Sequence, residues 1–129
     1  MGVFTGPELA YLTATGERRL ARVATVGPDG YIHVTPVGWS LADDDTVVEI
    51  GGHDFAATKK FRDVQRTGRA SVVVDDVLPP WRPRGVEIRG RAEAVDGERP
   101  HLRIHPHRIV SWGLEEDGEP VPRSARTVD

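Results

Sequence analysis

The chain has no cysteine among its 129 residues, which excludes a disulfide framework, a thiolate metal site and a cysteine nucleophile. It also lacks a basic excess. Seventeen Lys and Arg stand against 20 Asp and Glu, for a net charge of -3, which argues against a general nucleic-acid binder. Any basic site must therefore be local. No stretch approaches the roughly 18 apolar residues needed to cross a bilayer. The opening "MGVFTGPELAYL" lacks the basic segment and long apolar run of a secretory signal. A cytoplasmic protein without membrane attachment is expected. The length suits one domain that buries roughly two thirds of its unfolded surface.

What is present reads as short elements in sequence. "TGPELAYL" opens a helix, with Thr5 as cap, Pro7 in the first turn and Glu8 three residues after the cap, as in a capping box. From Leu20 the apolar period changes to two. "LARVATV" runs into the turn "GPDG" and returns as "YIHVTPVGW", where Pro36 implies an edge or a bulge. "TVVEIGG" makes a third strand after the turn Asp43–Asp45. "RASVVVDDV" is a β-branched, buried fourth strand. "RGVEIRGRAEAV" alternates cleanly, with Val86, Ile88, Ala92 and Ala94 on one face. "HLRIHPHRIVSW" is a sixth, with Leu102, Ile104, Val110 and Trp112 in step. Six strands, an N-terminal helix and one inserted helix predict a mainly β fold, an antiparallel barrel with helical additions. Residues 1–114 form this domain. Residues 115–129 show no periodicity and are expected to be a mobile tail or an arm on a partner subunit.

The inserted helix lies in "GGHDFAATKKFRDVQRTG". Asp54 is the expected N-cap, and Ala57, Phe61 and Val64 recur at helical spacing, so a helix starts near Phe55. Helix starts favour anions, yet Lys59 and Lys60 sit there. A phosphate or carboxylate ligand would account for them, with Gly51 and Gly52 allowing close approach and Thr58 adding a hydroxyl. A solvated face, with Lys59 paired to Asp63 four residues on, is the rival reading. "HLRIHPH" places His105 and His107 on one side of a strand. A metal there would need further ligands, and no native metal is expected. Trp112 suits a core, an interface, or a flat wall beside a planar ring.

Taken in order, "RVATVGPDGYIHVTPVGW", "IGGHDFAATKKFRDVQRTGRASVVVDDV", "PWRPRGVEIRGRAEAV" and "RIHPHRIVSWGL" resemble the flavin-binding split-barrel family related to pyridoxamine 5'-phosphate oxidase. They resemble most its short actinobacterial branch of deazaflavin-dependent oxidoreductases. The resemblance runs from about Phe4 to about Leu114 and implies a six-stranded Greek-key split β-barrel. It implies that Lys59 and Lys60 bind the cofactor phosphate, although "TGR" stands where the family has "NPR". Thr35, Pro36, Val37, Ile50 and Gly51 would lie along the tricyclic ring, and Trp112 would match an aromatic beside the cofactor in some members.

The same resemblance implies a homodimer with cofactor sites at the subunit interface, acting on a small organic molecule. The expected activity is hydride transfer from the reduced deazaflavin coenzyme F-420 to an unsaturated substrate. The alternatives are an FMN-dependent enzyme of the same family, or a carrier of flavin, deazaflavin or haem without turnover. The longer C-terminal segment with substrate-phosphate arginines of pyridoxamine 5'-phosphate oxidase itself has no counterpart, so vitamin B6 oxidation is not expected. No residue is singled out as a catalytic acid.

Overall fold

The computed structural model describes residues 2–14 and 19–129. Helix α1 (Gly6–Leu12) is followed by strands β1 (Ala21–Val26), β2 (Ile32–Ala42) and β3 (Val47–Gly51). Helix α2 (Lys59–Thr67) precedes β4 (Arg69–Leu78), β5 (Arg82–Val95) and β6 (His101–Trp112). The strands run β3-β2-β1-β4-β5-β6, and β3 pairs with β6 to close the expected six-stranded antiparallel barrel. Alternation explains the closure. Ala21 and Val23, Val48 and Ile50, Val72 and Val74, Val86 and Ile88, and Leu102 and Ile104 all point into one core. Phe61 and Val64 of α2, and Tyr11 and Leu12 of α1, complete it. No helix among the described residues is long and apolar enough to cross a membrane.

One register shift alters the expected phase of β6. Arg89 pairs with Arg108, whereas Gly90 pairs with Pro106, so His107 is an extra, bulged residue. A Cβ on Gly90 would lie 2.0 Å from the His105 carbonyl oxygen, and only glycine fits this approach. Past the bulge the two faces exchange. Ile109, opposite Ile88, joins the core, while Val110 and Trp112 turn to the outer face with their partners Glu87 and Gly85. The expected in-step set Leu102, Ile104, Val110 and Trp112 is thus split. His105 and His107 are engaged by separate carboxylates, those of Glu93 and Asp129.

The segment expected to be mobile or bound to a partner returns along its own barrel. A two-residue hairpin, β7 (Glu115–Glu116) with β8 (Glu119–Pro120), leads to β9 (Ser124–Thr127), which pairs with residues 108–111 of β6. The physical reason is Glu8, which is fully buried. Its carboxylate accepts hydrogen bonds from Arg126 (2.7 and 2.8 Å), Ser111 (2.6 Å) and the Thr5 N–H (2.9 Å). The capping-box residue of α1 therefore also anchors the far end of the chain. Burial alone would raise the Glu8 pKa, but Arg126, Ser111 and Thr5 outweigh it and hold the carboxyl below its ordinary value.

Removing one partner of a buried ion pair strands the other. Arg126→Ala is expected to cost roughly 2–3 kcal/mol of stability in urea denaturation at neutral pH. Because the folded-state pKa of Glu8 is depressed, its contribution is complete above the ordinary glutamate range and fades as pH falls through the folded value. The stability gap between wild type and variant should therefore narrow on acidification. A gap that is absent, or that widens in acid, would contradict this clamp.

Candidate functional site at the start of the second helix

The chain leaves β3 through Gly51 and Gly52 and makes a tight 3-10 turn, Phe55–Ala57, before α2 begins. Asp54, the expected cap, adopts a left-handed backbone (φ 47°) and makes no capping hydrogen bond. Thr58 caps the helix instead: its hydroxyl accepts from the Phe61 N–H at 3.3 Å and donates to the Phe55 carbonyl at 2.7 Å. Packing decides between these two residues. Phe55 must reach the core, where it meets Phe61 edge to face at a centroid distance of 5.9 Å, and the extra turn delivers it. Thr58 is therefore already engaged within the chain. Lys59 and Lys60 become the first two helical residues, and Lys60 Nζ lies 5.2 Å from the Phe55 ring centroid.

Among the described residues, neither lysine has an acidic partner. The Lys59–Asp63 pair of the solvated-face reading does not form, because Asp63 points inward and is buried. Its carboxylate accepts from the Thr25 hydroxyl at 2.8 Å, meets His33 Nδ1 at 2.9 Å and accepts from Arg66 at 3.2 Å. Burial opposes ionisation of Asp63, but the bonds from Thr25, His33 and Arg66 outweigh it and keep the carboxyl below its ordinary value.

Two clefts follow one another along this helix start. The smaller, about 270 Å³, is lined by Val23, Thr25, His33, Val34, Thr35, Lys59 and Lys60. The larger, about 980 Å³, runs past Gly38, Trp39, Gly51, Gly52, Phe55, Ala57 and His101. Residues 33–35 of β2 line the first and 38–40 the second. Opposite them, 59–60 line the first and 55–57 the second. A Cβ on Gly38 would meet nothing within 4 Å, so its backbone is bare to the cleft.

The predicted residues fall into distinct places. Lys59, Lys60 and Thr35 share the small cleft, and Gly51 lies in the large one. Pro36 is exposed between them. The side chains of Val37 and Ile50 belong to the core, and so do not face a ligand. Trp112 is not brought to either cleft. It lies across from Gly85, where a Cβ would come within 2.7 Å of its ring. Trp39, His33 and Asp63 carry no site signal of their own in the sequence. The alternation of "IHVTPVGW" puts His33 and Trp39 in the same phase as Thr35 and Val37, which is the signal for them, whereas Asp63 is placed only by packing.

A third cleft of about 900 Å³ lies on another part of the surface, among Val26, Ile32, Arg69, Arg89, Arg91 and Asp129. Its basic character is partly spent. Arg89 makes two bonds to Glu87, at 2.9 and 3.1 Å, and the Asp129 carboxylate adds negative charge.

Residues 8–125 match the family described as pyridoxamine 5'-phosphate oxidase. The chain is 42% identical over 125 residues to a 5a,11a-dehydrotetracycline/5a,11a-dehydrooxytetracycline reductase of Streptomyces rimosus, covering 88% of this chain and 86% of that protein. Among solved structures, an FAD-binding protein of Mesorhizobium loti superposes with a TM-score of 0.63 at 18% identity, over 84% of this chain and 91% of its own. An F-420 reductase gives 0.60 at 18% identity, over 83% and 98%. At such identities these two structures speak for the fold alone. The family match, the reductase relative and the closed barrel agree: the chain belongs to the pyridoxamine 5'-phosphate oxidase family.

Proposed function

We propose that the protein is an oxidoreductase that takes hydride from reduced deazaflavin coenzyme F-420 and delivers it to an unsaturated polycyclic organic substrate. The observation that carries this reading is the pair Lys59–Lys60, which opens α2 beside a cleft with no carboxylate to neutralise it among the described residues. A cofactor phosphate supplies the missing charge. When bound, the deazaflavin provides the hydride chemistry. The chain's part is to bind, orient and exclude water. Lys60 and Lys59 hold the phosphate, Gly38 and Gly51 give a planar ring access to bare backbone, and Trp39 walls the larger cleft.

The Streptomyces rimosus relative reduces dehydrotetracyclines, which supports an unsaturated fused-ring substrate here. FMN in the same groove is the second cofactor reading, supported by the flavin-binding relative of the same fold. The carrier reading has less support. The large cleft is lined by residues 38–40, 49, 51–57 and 97–101, not by the C-terminal segment, which leaves room for a substrate.

Loss of a charge-assisted contact of roughly 1.5–3 kcal/mol corresponds to about tenfold to hundredfold weaker binding. Lys60→Ala is expected to weaken F-420 or FMN by that factor in equilibrium titration, while thermal stability barely changes. A dissociation constant unchanged for both cofactors would overturn the phosphate site. A symmetric dimer is also proposed. Tyr31, Ile32 and Val34 are 75%, 69% and 64% exposed on or beside the outer face of β2, an apolar patch that a second copy would cover. Sedimentation at micromolar concentration should show a dimer that Val34→Lys converts to monomer. A monomeric wild type would remove the interface from this account.

A further inference from the structure

We propose that His33 is a third cationic contact of the anion-binding cleft, held in place by the buried Asp63, and that it makes the site's affinity for phosphate depend on pH. The inference rests on the cofactor reading above and adds a residue and a regulation to it. His33 faces the same cleft as Lys59, Lys60 and Thr35. Its side chain is 30% exposed, against 3% for Asp63 behind it.

The geometry fixes what each ring nitrogen does. Asp63 is ionised and accepts, so Nδ1 of His33 carries a proton and donates to it at 2.9 Å. Among the described residues no hydrogen bond of Nε2 is formed within the chain; Nε2 lies beside the β1–β2 turn, where a Cβ on Gly27 would come within 3.2 Å of it and within 3.1 Å of Asp29 Oδ1. A neutral imidazole would present Nε2 as an acceptor, which repels an anion. The protonated ring presents a second donor instead. Thr25 and Arg66 hold Asp63 from its other sides, so the carboxylate cannot follow the imidazole away.

The surroundings favour an anion over a catalytic proton transfer here. From α2, the charged groups around His33 are Asp63, Arg66, Lys59 and Lys60. The β1–β2 turn adds Asp29, and β1 contributes only the uncharged Val23 and Thr25. The turn also confines the ring: a Cβ on Gly27 would fall 2.7 Å from His33 Cε1. Asp63 touches no ligand. It is a positioning residue, acting through His33.

The test compares wild type, His33→Gln and Lys60→Ala in titrations with FMN and riboflavin, and with F-420 and its phosphate-free deazaflavin ribitol. The glutamine of the first variant keeps a donor for Asp63, so the fold is preserved. The phosphate monoester of FMN also titrates near pH 6, and the ratio of variant to wild-type dissociation constants cancels that effect. For the phosphate-bearing ligands this ratio should reach about ten near pH 5.5 and be smaller near pH 8. For the phosphate-free ligands it should stay near one throughout. Gly27→Ala, which displaces the ring without altering charge, should behave like His33→Gln. A ratio near one at both pH values, with Lys60→Ala still weakening the phosphate-bearing ligand, would overturn the role of His33 and leave the cofactor reading standing. If wild type binds each phosphate-bearing ligand no more tightly than its phosphate-free counterpart, both fall.

Discussion

The edge-to-face contact of Phe55 with Phe61 beneath one end of the barrel is the constraint on which the site depends. A closed six-stranded barrel has two open ends, and apolar side chains exposed there must be covered. α2 covers one of them with Phe61 and Val64, while Phe55 fills the same core from the preceding turn. Both phenylalanines must be buried, so the chain between them has little freedom. Thr58 is forced to cap, and Lys59 and Lys60 are forced onto the rim beside β2. The lysines are held by what lies under them.

Charge completes the picture. Several of the barrel's arginines are met by carboxylates: Arg22 by Asp75, Arg84 by Asp76, Arg103 by Glu49 and Asp43, Arg126 by Glu8. The Arg84 guanidinium holds Asp76 down to about 2. Lys59 and Lys60, at the start of α2, have no such partner among the described residues. The acid that spacing offers to Lys59 is turned inward to Thr25, His33 and Arg66. Two ammonium groups at the positive end of a helix cost free energy unless an anion joins them, and the adjoining clefts give an anion with a flat attached ring somewhere to lie.

Much of this is legible in the residues themselves, and the rest is not for identifiable reasons. Period-two alternation locates the six barrel strands, and the Thr5–Glu8 spacing locates α1 and its capping box. The bulge at His107 is hidden because Gly90 reads as an ordinary strand interruption; only the 2.0 Å approach to His105 reveals its purpose. Asp54 and Thr58 are both good caps by residue type, and the burial of Phe55 chooses between them. The Glu8–Arg126 clamp and the Asp63–His33 pair join residues far apart in sequence, which no local pattern records. Likewise "SART" is too short to announce a strand until β6 offers it an edge. The family resemblance ties Thr35 to the lysines. His33 lies outside it, and only the phase it shares with Thr35 in β2 points to it.

The most direct test of the central claim is a crystal structure of the protein with F-420 or FMN bound. The account predicts phosphate oxygens within hydrogen-bonding distance of Lys60 Nζ, with the ring extending past Gly38 and Gly51 toward Trp39. A phosphate seated instead among Arg69, Arg89 and Arg91, with the α2 lysines turned to solvent, would contradict it.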